Sequence, residues 1–521
     1  MQSIFLRLPN MYCVRLNLAL SCGNNARRAR RGEWMAYVPV SVAYHRLRPD
    51  RVHATVFPEA EFLRKAPVPK SAVRKASTRT PRAPRSGRAN NQDGAALKAP
   101  ERAWLFMLGG TSALPLMNFT VTGFSVVCVA IGLAYLLPGP RRRTATPLVY
   151  ALIGTGAYLA SAWVNDTSYL SPDVFAFGSF ALYFCGITVL ASDVERIATV
   201  LLGIAFGSVF FYVMIGTFLT SAGSVIDLWK YGVAPSATIA VLYLMATCRM
   251  RTSAVVAALL SLAALSLVLN FRSHAVICCA VALLLLLSKY RRGALSLGSR
   301  VVTLGAFAVG FTWALEYAAR EGLLGGSLRE KVLMQSDGSV PMLLAGRTEP
   351  PLSLTAIVNR PLLGWGEGDN ISHEVYVQAQ HAAMAVGFDR SFPFEYAWRL
   401  SNGSISLHSI LLGSWAEAGV LAILLPLWLL WACYRLVFVA DSAGPWTPLM
   451  MYLGMQTIWD LLFSPWSYNL PAVLACLACC CVAVSSDGRH HDGDAKDAHL
   501  LMRLLRDNRA PRSRHVSEAK R

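Results

Sequence analysis

The sequence is dominated by a succession of apolar stretches, each long enough to cross a lipid bilayer as a helix. A spanning helix needs about 20 mostly apolar residues. Twelve segments fit this template: 104–117, 121–138, 146–164, 172–191, 196–220, 233–249, 253–270, 273–289, 301–318, 406–432, 446–464 and 468–484. Apolar residues make up 54% of the chain and charged residues only 15%, which is typical of polytopic membrane proteins. We therefore predict an all-α integral membrane protein with about twelve transmembrane helices.

The basic residues of the short connections orient these predicted spans. Arg and Lys are concentrated in PGPRRR, SDVER, CRMRT, SKYRRGALSLGSR and CYRLVFVADSAG, and are few in NDTSYLSPD, SAGSVIDLWKYG, NFRSH and FSPWSY. Because cytoplasmic loops carry an excess of Lys and Arg, the first set and both termini are predicted to be cytoplasmic. The remaining connection, 319–405, then lies on the outer side, between spans 9 and 10. It is too long for a simple connector, and its apolar stretches predict short helices that form a lid or binding platform.

The terminal segments hold most of the net charge of +19. Residues 1–102 contain 20 basic and 6 acidic side chains, a net +14. They are rich in Arg, Pro, Ala and Ser and lack a periodic apolar face, which predicts disorder. Two interpretations stay open: a cytoplasmic tail attracted to anionic lipid, or a start site assigned too early, with the true start near Met107. Charge confined to tails does not indicate a nucleic-acid partner. We predict a membrane domain at 103–484 and a cytoplasmic tail at 485–521.

Polar residues with possible chemistry cluster at the predicted outer ends of the spans. Arg272 lies in LNFRSHAV, between two apolar stretches; it is either functional or an interfacial arginine that reaches the lipid headgroups. Asp460, near the outer end of the eleventh span, is a candidate partner for a cation. Gly364 and Gly366 in PLLGWGEG predict a tight turn. No strand precedes them, so they do not indicate a nucleotide-binding loop.

The stretch SISLHSILLGSWAEAG places a histidine at the start of a predicted span and a carboxylate inside it. A helical spacing of 4, 3 and 4 residues puts one stripe on a single helix face: His408, Leu412, Trp415 and Gly419. Glu417 would lie on another face, roughly 14 Å deeper. A carboxylate there must face the bundle interior or be protonated. We predict an accessible His408 and an interior, supporting Glu417.

The cysteines of CLACCC, which begins at Cys476, resemble a metal-binding cluster only in composition. They lie in an apolar stretch of membrane length, without a nearby histidine or carboxylate. Small apolar packing residues are therefore the better interpretation.

The stretch around His408 resembles the signature of the O-antigen ligase and polymerase superfamily. In that signature a histidine is followed by Asn-x-x-Leu, with Glu nine and Gly eleven residues after the histidine. His408, Leu412, Glu417 and Gly419 fall on this pattern, whereas Ser409 stands at the usual Asn position.

Two further segments support the same resemblance. Gly-Arg at Arg347, followed by PLLGWGEG, is similar to the family's Gly-Arg and Pro-Leu-x-Gly-x-Gly segment, although the Trp often found between them is absent. FRSHA resembles the family's Ser-Arg turn, with Phe271 in place of Ser. None of the three motifs is specific to the family by itself. The resemblance rests on their occurring in the family's order, within 260–435.

The resemblance implies a membrane glycosyltransferase that uses a glycan linked to a polyprenyl pyrophosphate such as undecaprenyl pyrophosphate. Arg272 and Arg347 would bind the pyrophosphate, with Arg360 assisting, and His408 would assist the acceptor hydroxyl. Guanidinium groups bind phosphate oxygens bidentately and stabilise a leaving diphosphate, and an imidazole can accept a proton near pH 7. No metal or other cofactor is implied. The protein would lie in the bacterial inner membrane, among membrane lipids, with its active site facing the periplasm.

The acceptor separates the two activities of this superfamily. A ligase transfers the glycan to lipid A-core, whereas a polymerase extends a growing glycan, as in O-antigen or exopolysaccharide synthesis. The twelve-span layout and the loop position favour the ligase, and the polymerase stays as the alternative. A twelve-span secondary transporter is a third interpretation, but it predicts two related halves and polar sites near the membrane midplane, which this sequence lacks.

Overall fold

The computed structural model describes ten parts of the chain. These are 97–117, 120–136, 145–216, 225–290, 297–322, 326, 348–399, 403–405, 407–438 and 440–485. All of them belong to one compact unit, Ala96–Arg521. Three predictions concern residues outside these parts. They are the disorder of most of 1–102, the tail after 485 and the role of Arg347.

Helices dominate the described part of the chain. The longer ones are α1 Ala99–Gly110, α2 Gly123–Gly132, α3 Thr146–Asn165, α4 Pro172–Leu190, α5 Val194–Phe211, α6 Ala234–Thr247, α7 Thr252–Val268, α8 Arg272–Tyr290, α9 Leu297–Arg320, α10 Pro350–Asn359, α11 His373–Ala385, α12 Ile410–Ala418, α13 Leu424–Phe438, α14 Thr447–Phe463 and α15 Leu470–Ser485. Short helical turns are Thr111–Ala113, Leu133–Leu136, Tyr212–Gly216, Val225–Leu228, Trp229–Val233, Gly368–Asn370, Phe394–Ala397, Val420–Ile423 and Ala440–Trp446. Two strands, β1 Pro115–Met117 and β2 Val121–Thr122, pair antiparallel.

Six described helices are long and apolar enough to cross a membrane. They are Thr146–Asn165, Pro172–Leu190, Val194–Ile215, Arg272–Lys289, Gly298–Arg320 and Val420–Phe438. Three shorter apolar helices are Gly123–Tyr135, Thr252–Val268 and Leu470–Ser485. Large apolar side chains are also exposed on these helices, including Val302 and Trp313, each at 70%, as expected where lipid is the solvent. The prediction of a mostly helical membrane protein is confirmed, while the count of twelve spans stays a prediction.

The first predicted span, 104–117, does not form one helix. Helix α1 ends at Gly110, and the chain then enters the β1–β2 hairpin. The turn Thr111–Ala113 follows α1, and Leu114 is then extended, because a proline such as Pro115 disfavours the helical conformation of the residue before it. Thr122 then caps α2, with its backbone N–H donating to Ser125 Oγ at 3.0 Å.

The tenth predicted span, 406–432, is also divided. Ser409 is the N-cap of α12, accepting a hydrogen bond from the Leu412 N–H at 3.1 Å. Gly419, with φ at +78°, ends α12, and the membrane-length apolar helix begins only at Val420. His408 therefore precedes the helix and Gly419 follows it, so the prediction of a single helical stripe was wrong.

Helix α1 belongs to the bundle because glycines let it approach α5 closely. A Cβ on Gly109 would overlap the Val200 carbonyl oxygen, and a Cβ on Gly203 would overlap the Phe106 carbonyl oxygen. Small residues at a helix interface allow such backbone contact. The absence of side chains at these two positions thus sets the distance between α1 and α5.

The described part of the long connection 319–405 has an apolar core of its own. Helices α10 and α11 pack beside Trp398, which is fully buried. The Trp398 ring donates from Nε1 to the Thr348 carbonyl oxygen at 2.8 Å and meets the Tyr376 ring edge-on at 5.1 Å. This core fixes the start of α10, and therefore the position of Glu349 immediately before it.

Candidate functional site

A cavity of about 440 Å³ lies where four predicted outer segments meet. Its size is within the range of small-molecule sites. Its wall takes Lys230 and Tyr231 from SAGSVIDLWKYG, Phe271 and Ser273 from NFRSH, His408 from the outer end of the tenth predicted span, and Ser464, Pro465, Ser467 and Tyr468 from FSPWSY. Segments that are far apart in sequence therefore supply one site, and they are segments that the charge pattern assigned to one side.

His408 lies on the wall of this cavity and beside a carboxylate. Its Nδ1 is 3.1 Å from Glu349 Oε1, although the two groups are not aligned as a hydrogen bond. The Glu349 side chain is 13% exposed, and its Oε2 has no hydrogen-bond partner among the described residues. The Glu349 carboxylate therefore lies on the Nδ1 side of the His408 ring, and Nε2 is the ring nitrogen further along the ring from it.

Glu349 was not among the residues predicted from sequence. It follows Arg347 by two positions in AGRTEPPLSL, and nothing in that stretch indicates a partner for a histidine in a later motif. Helix α10 starts at the next residue and contacts α12. The packing of these two helices brings Glu349 to His408.

Two charged residues share the wall of this cavity with His408. Lys230 Nζ donates to the Tyr231 hydroxyl at 3.0 Å. Asp460 accepts hydrogen bonds from Gln456 Nε2 at 3.1 Å and Ser464 Oγ at 3.2 Å. Asp460 was predicted to lie near a cation on this side, whereas Lys230 was missed because it lies in a connection without a recognisable motif.

Aromatic side chains form much of the remaining wall. They are Tyr212, Tyr231, Phe271, Tyr452, Trp459, Phe463 and Tyr468. Tyr468 stacks on Phe211 with ring centroids 3.6 Å apart, and Tyr468 also donates to the Ser112 carbonyl oxygen. Aromatic rings combine a large apolar face with polar edges, so this wall suits an amphipathic ligand.

The segment PLLGWGEG contacts the stretch SISLHSILLGSWAEAG at the end of α12. Trp365 N–H donates to the Ala416 carbonyl oxygen at 2.9 Å, and Gly366 N–H donates to the Glu417 carbonyl oxygen at 2.8 Å. Val420 N–H in turn donates to the Pro361 carbonyl oxygen at 3.0 Å. The segment PLLGWG is therefore held along residues 416–420 by backbone hydrogen bonds.

This contact requires glycine on both sides. Gly364 has φ at +69°, and a Cβ there would overlap the Glu417 backbone carbonyl; Gly419 has φ at +78°, and a Cβ there would overlap the Leu362 carbonyl oxygen. Gly366, with φ at +80°, approaches Thr167 in the same way. The predicted turn at Gly364 and Gly366 is present, and its role is to allow two backbones to approach closely.

Glu417 is enclosed where α12 meets α3. Its Oε2 accepts a hydrogen bond from the Tyr158 hydroxyl at 3.1 Å, and its carbonyl oxygen accepts one from Ser161 Oγ at 2.7 Å. Burial, and then the nearby Asp173 carboxyl, raise the pKa of Glu417 well above its ordinary value. Glu417 precedes the apolar helix Val420–Phe438, so the carboxyl lies at the junction of three elements.

The predicted pyrophosphate-binding arginines are not gathered at the described cavity wall. Arg360 is exposed, donates from Nη1 to Asn165 Oδ1 at 2.6 Å and lies 4.0 Å from the Trp365 ring centroid. Arg272 is the first residue of α8, between Phe271 and Ser273, which line the cavity. Their binding of a pyrophosphate stays a prediction.

His274, close to Arg272 in sequence, is fully buried. Its ring contacts Thr238 Oγ1 at 3.0 Å and Ser266 Oγ at 2.8 Å. Both ring nitrogens therefore have partners within the bundle, and the residue joins α6, α7 and α8.

The cysteines of CLACCC are buried in α15 among apolar side chains. Within the described ranges, no group of three or more His, Cys, Asp or Glu side chains is arranged to hold a metal ion.

The fold and the site define a mostly helical, membrane-embedded protein with a cavity walled by a histidine, a lysine, an aspartate and aromatic rings. Comparisons of the chain with protein-family models, characterised proteins and solved structures give no match.

Proposed function

We propose that this protein is a membrane glycosyltransferase of the O-antigen ligase type. It moves a glycan from a polyprenyl-pyrophosphate carrier to lipid A-core at the outer face of a bacterial inner membrane. The bundle would have about twelve spans, with 319–405 on the periplasmic side. The observation that carries the proposal is the 3.1 Å contact between His408 Nδ1 and Glu349 Oε1, beside a cavity with aromatic walls.

His408 acts as the general base in this proposal. The acceptor hydroxyl attacks the anomeric carbon of the donor, a new C–O bond forms, and the bond to the diphosphate oxygen breaks. His408 Nε2 takes the hydroxyl proton, and the bonding electrons leave with the polyprenyl diphosphate. Base catalysis by a positioned side chain contributes about 10²–10⁴-fold in rate. Glu349 stabilises the imidazolium that forms.

Cationic side chains stabilise the negative charge that develops on the leaving diphosphate. Lys230 lines the cavity that also contains His408, and Arg272, Arg347 and Arg360 are the sequence-based candidates. Fixed cations are effective where charge develops in the transition state. Glu417, Gly364 and Gly366 support the site by holding the PLLGWG segment on α12.

The test is transfer activity of the purified full-length chain in proteoliposomes. Donor is a polyprenyl-diphosphate-linked oligosaccharide, acceptor is lipid A-core, and the product is measured on a glycolipid gel. His408→Ala is expected to lower the rate about 10²–10⁴-fold. His381→Ala is the matched control, because His381 is exposed on α11.

A second arm replaces lipid A-core by another molecule of the lipid-linked glycan. Chain extension in this arm, without transfer to lipid A-core, would assign the polymerase activity instead. Equal rates for His408→Ala and the wild type, at equal folded amounts, would contradict both assignments.

A further inference from the structure

A second cavity, of about 630 Å³, lies towards the opposite ends of two helices that also wall the first cavity. Helix α6 contributes Pro235, Ser236 and Ile239 to the first cavity but Leu242, Met245 and Ala246 to the second. Helix α14 contributes lining residues between Tyr452 and Phe463 to the first cavity, and Thr447 and Pro448 to the second. The two cavities are therefore separate sites in the bundle.

Three connections that the charge pattern assigned to the cytoplasmic side supply the rim of this second cavity. The rim residues are Met250 and Thr252 from the first, Ser288, Lys289 and Arg300 from the second, and Gly444 and Pro445 from the third. The position suits a ligand that belongs to the inner leaflet of the membrane.

Two cationic side chains line this cavity, and Arg300 Nη1 also donates to the Phe438 carbonyl oxygen at 3.2 Å. Lys289 and Arg300 are cations, and none of the described lining residues is acidic. Two helices also begin at the cavity, α7 at Thr252 and α14 at Thr447. A helix N-terminus carries a partial positive charge, so both helix starts add to the attraction that the two side chains exert on an anion.

The deeper wall of the cavity is apolar. Leu242, Met245, Val255 and Leu285 line it. A ligand that fits both parts must carry an anionic head and an apolar chain, and a soluble anion would leave the apolar wall without a partner. The volume lies within the range of sites that hold small ligands.

We propose that this cavity binds an anionic phospholipid, with the phosphate at Lys289 and Arg300 and the start of an acyl chain against Met245 and Leu285. The site does not depend on the transfer reaction proposed above. It makes the protein selective for anionic over zwitterionic lipid at its inner face.

The test is lipid retention by the purified full-length chain in detergent, measured by native mass spectrometry. The lipid probes are phosphatidylglycerol and phosphatidylcholine with the same acyl chains. The wild type is expected to retain phosphatidylglycerol preferentially. Lys289→Gln and Arg300→Gln are each expected to weaken retention about fivefold, and the double variant about thirtyfold, because a basic side chain near an anionic headgroup contributes about 1 kcal/mol.

Arg249→Gln is the matched control, because Arg249 is an exposed cation in the same connection as Met250 and does not itself line the cavity. It is expected to retain phosphatidylglycerol as the wild type does. The single variant Lys289→Gln changes an exposed side chain, so a folding defect in the double variant does not remove the test. Equal retention of the two lipids, or unchanged retention in the cavity variants, would overturn the proposal.

A third arm adds inorganic phosphate to the lipid-bound protein. Retention of the lipid at phosphate concentrations well above that of the lipid is expected. Displacement of phosphatidylglycerol by phosphate at comparable concentration would show a site for soluble anions and would also overturn the proposal.

Discussion

His408 and Glu349 lie on separate elements, and their side chains meet with Nδ1 and Oε1 3.1 Å apart. His408 is in the segment directly before the Ser409 N-cap of α12, whereas Glu349 directly precedes α10. The histidine also lines the 440 Å³ cavity. The relationship orients one ring nitrogen towards a carboxylate and leaves the other for a ligand.

Glu349→Gln is expected to slow glycan transfer without preventing substrate binding. The amide cannot stabilise a protonated imidazole as a carboxylate does, so kcat falls while KM changes little. Substitutions of residues that act as one unit have non-additive effects on the rate. The double variant with His408→Ala should therefore be no slower than His408→Ala alone. The measurement is steady-state kinetics, with Glu395→Gln as an exposed control on the same connection. Additive losses in the double variant would contradict a coupled pair.

Gly419→Ala is expected to destabilise the protein much more than Gly403→Ala. Both glycines have positive φ, +78° and +87°, but only Gly419 has a backbone oxygen where a Cβ would lie. Gly403→Ala should cost about 1–2 kcal/mol from backbone strain alone, and Gly419→Ala more than about 3 kcal/mol, since the PLLGWG segment must also move. The measurement is the free energy of unfolding in mixed detergent micelles. Similar losses in both variants would show that the contact with Leu362 is not tight.

Lys230→Gln is expected to weaken use of the pyrophosphate donor more than Arg360→Gln. Lys230 lines the cavity with His408, whereas Arg360 is engaged by Asn165 and the Trp365 ring. Loss of one charge-assisted hydrogen bond corresponds to about tenfold in kcat/KM for the donor. Donor titrations of the two variants measure the difference. A larger effect at Arg360 would place the diphosphate on the outer loop rather than in the cavity.

Glu417→Gln is expected to make thermal stability less dependent on pH. Burial raises the pKa of Glu417 in the folded state, so the folded state binds a proton more tightly than the unfolded chain. This contribution to stability is fully present below the ordinary carboxyl pKa and is lost as pH rises through the raised value. The wild-type Tm should therefore fall relative to Glu417→Gln with rising pH, and the two should converge in acid.

The Tm of each variant across a pH series is the measurement. Glu374→Gln is the control, because Glu374 is exposed on α11, and it should follow the wild-type profile. If the Tm of Glu417→Gln lies below that of the wild type by the same amount at every pH, the folded state requires the ionised carboxylate.

The class of protein could be predicted from sequence because span length is a local property. About 20 consecutive apolar residues satisfy a bilayer regardless of what lies beside them, and six of the described helices meet that condition. The motifs around His408 and PLLGWGEG were also visible, since spacing is written in the sequence. The individual boundaries were less secure: helices end at Gly110 and before Gly419, inside stretches whose hydropathy alone predicted continuity.

Contacts between distant residues were decided only by the tertiary structure. Glu349 became the partner of His408 because α10 packs on α12, and Lys230 joined the same cavity although its connection carries no motif. The break at Gly419 likewise depends on the Pro361 carbonyl oxygen, which accepts the Val420 N–H. The sequence determined which segments are apolar enough for the membrane, and packing determined which polar groups meet at their ends, because such pairs arise only when separate helices are placed side by side.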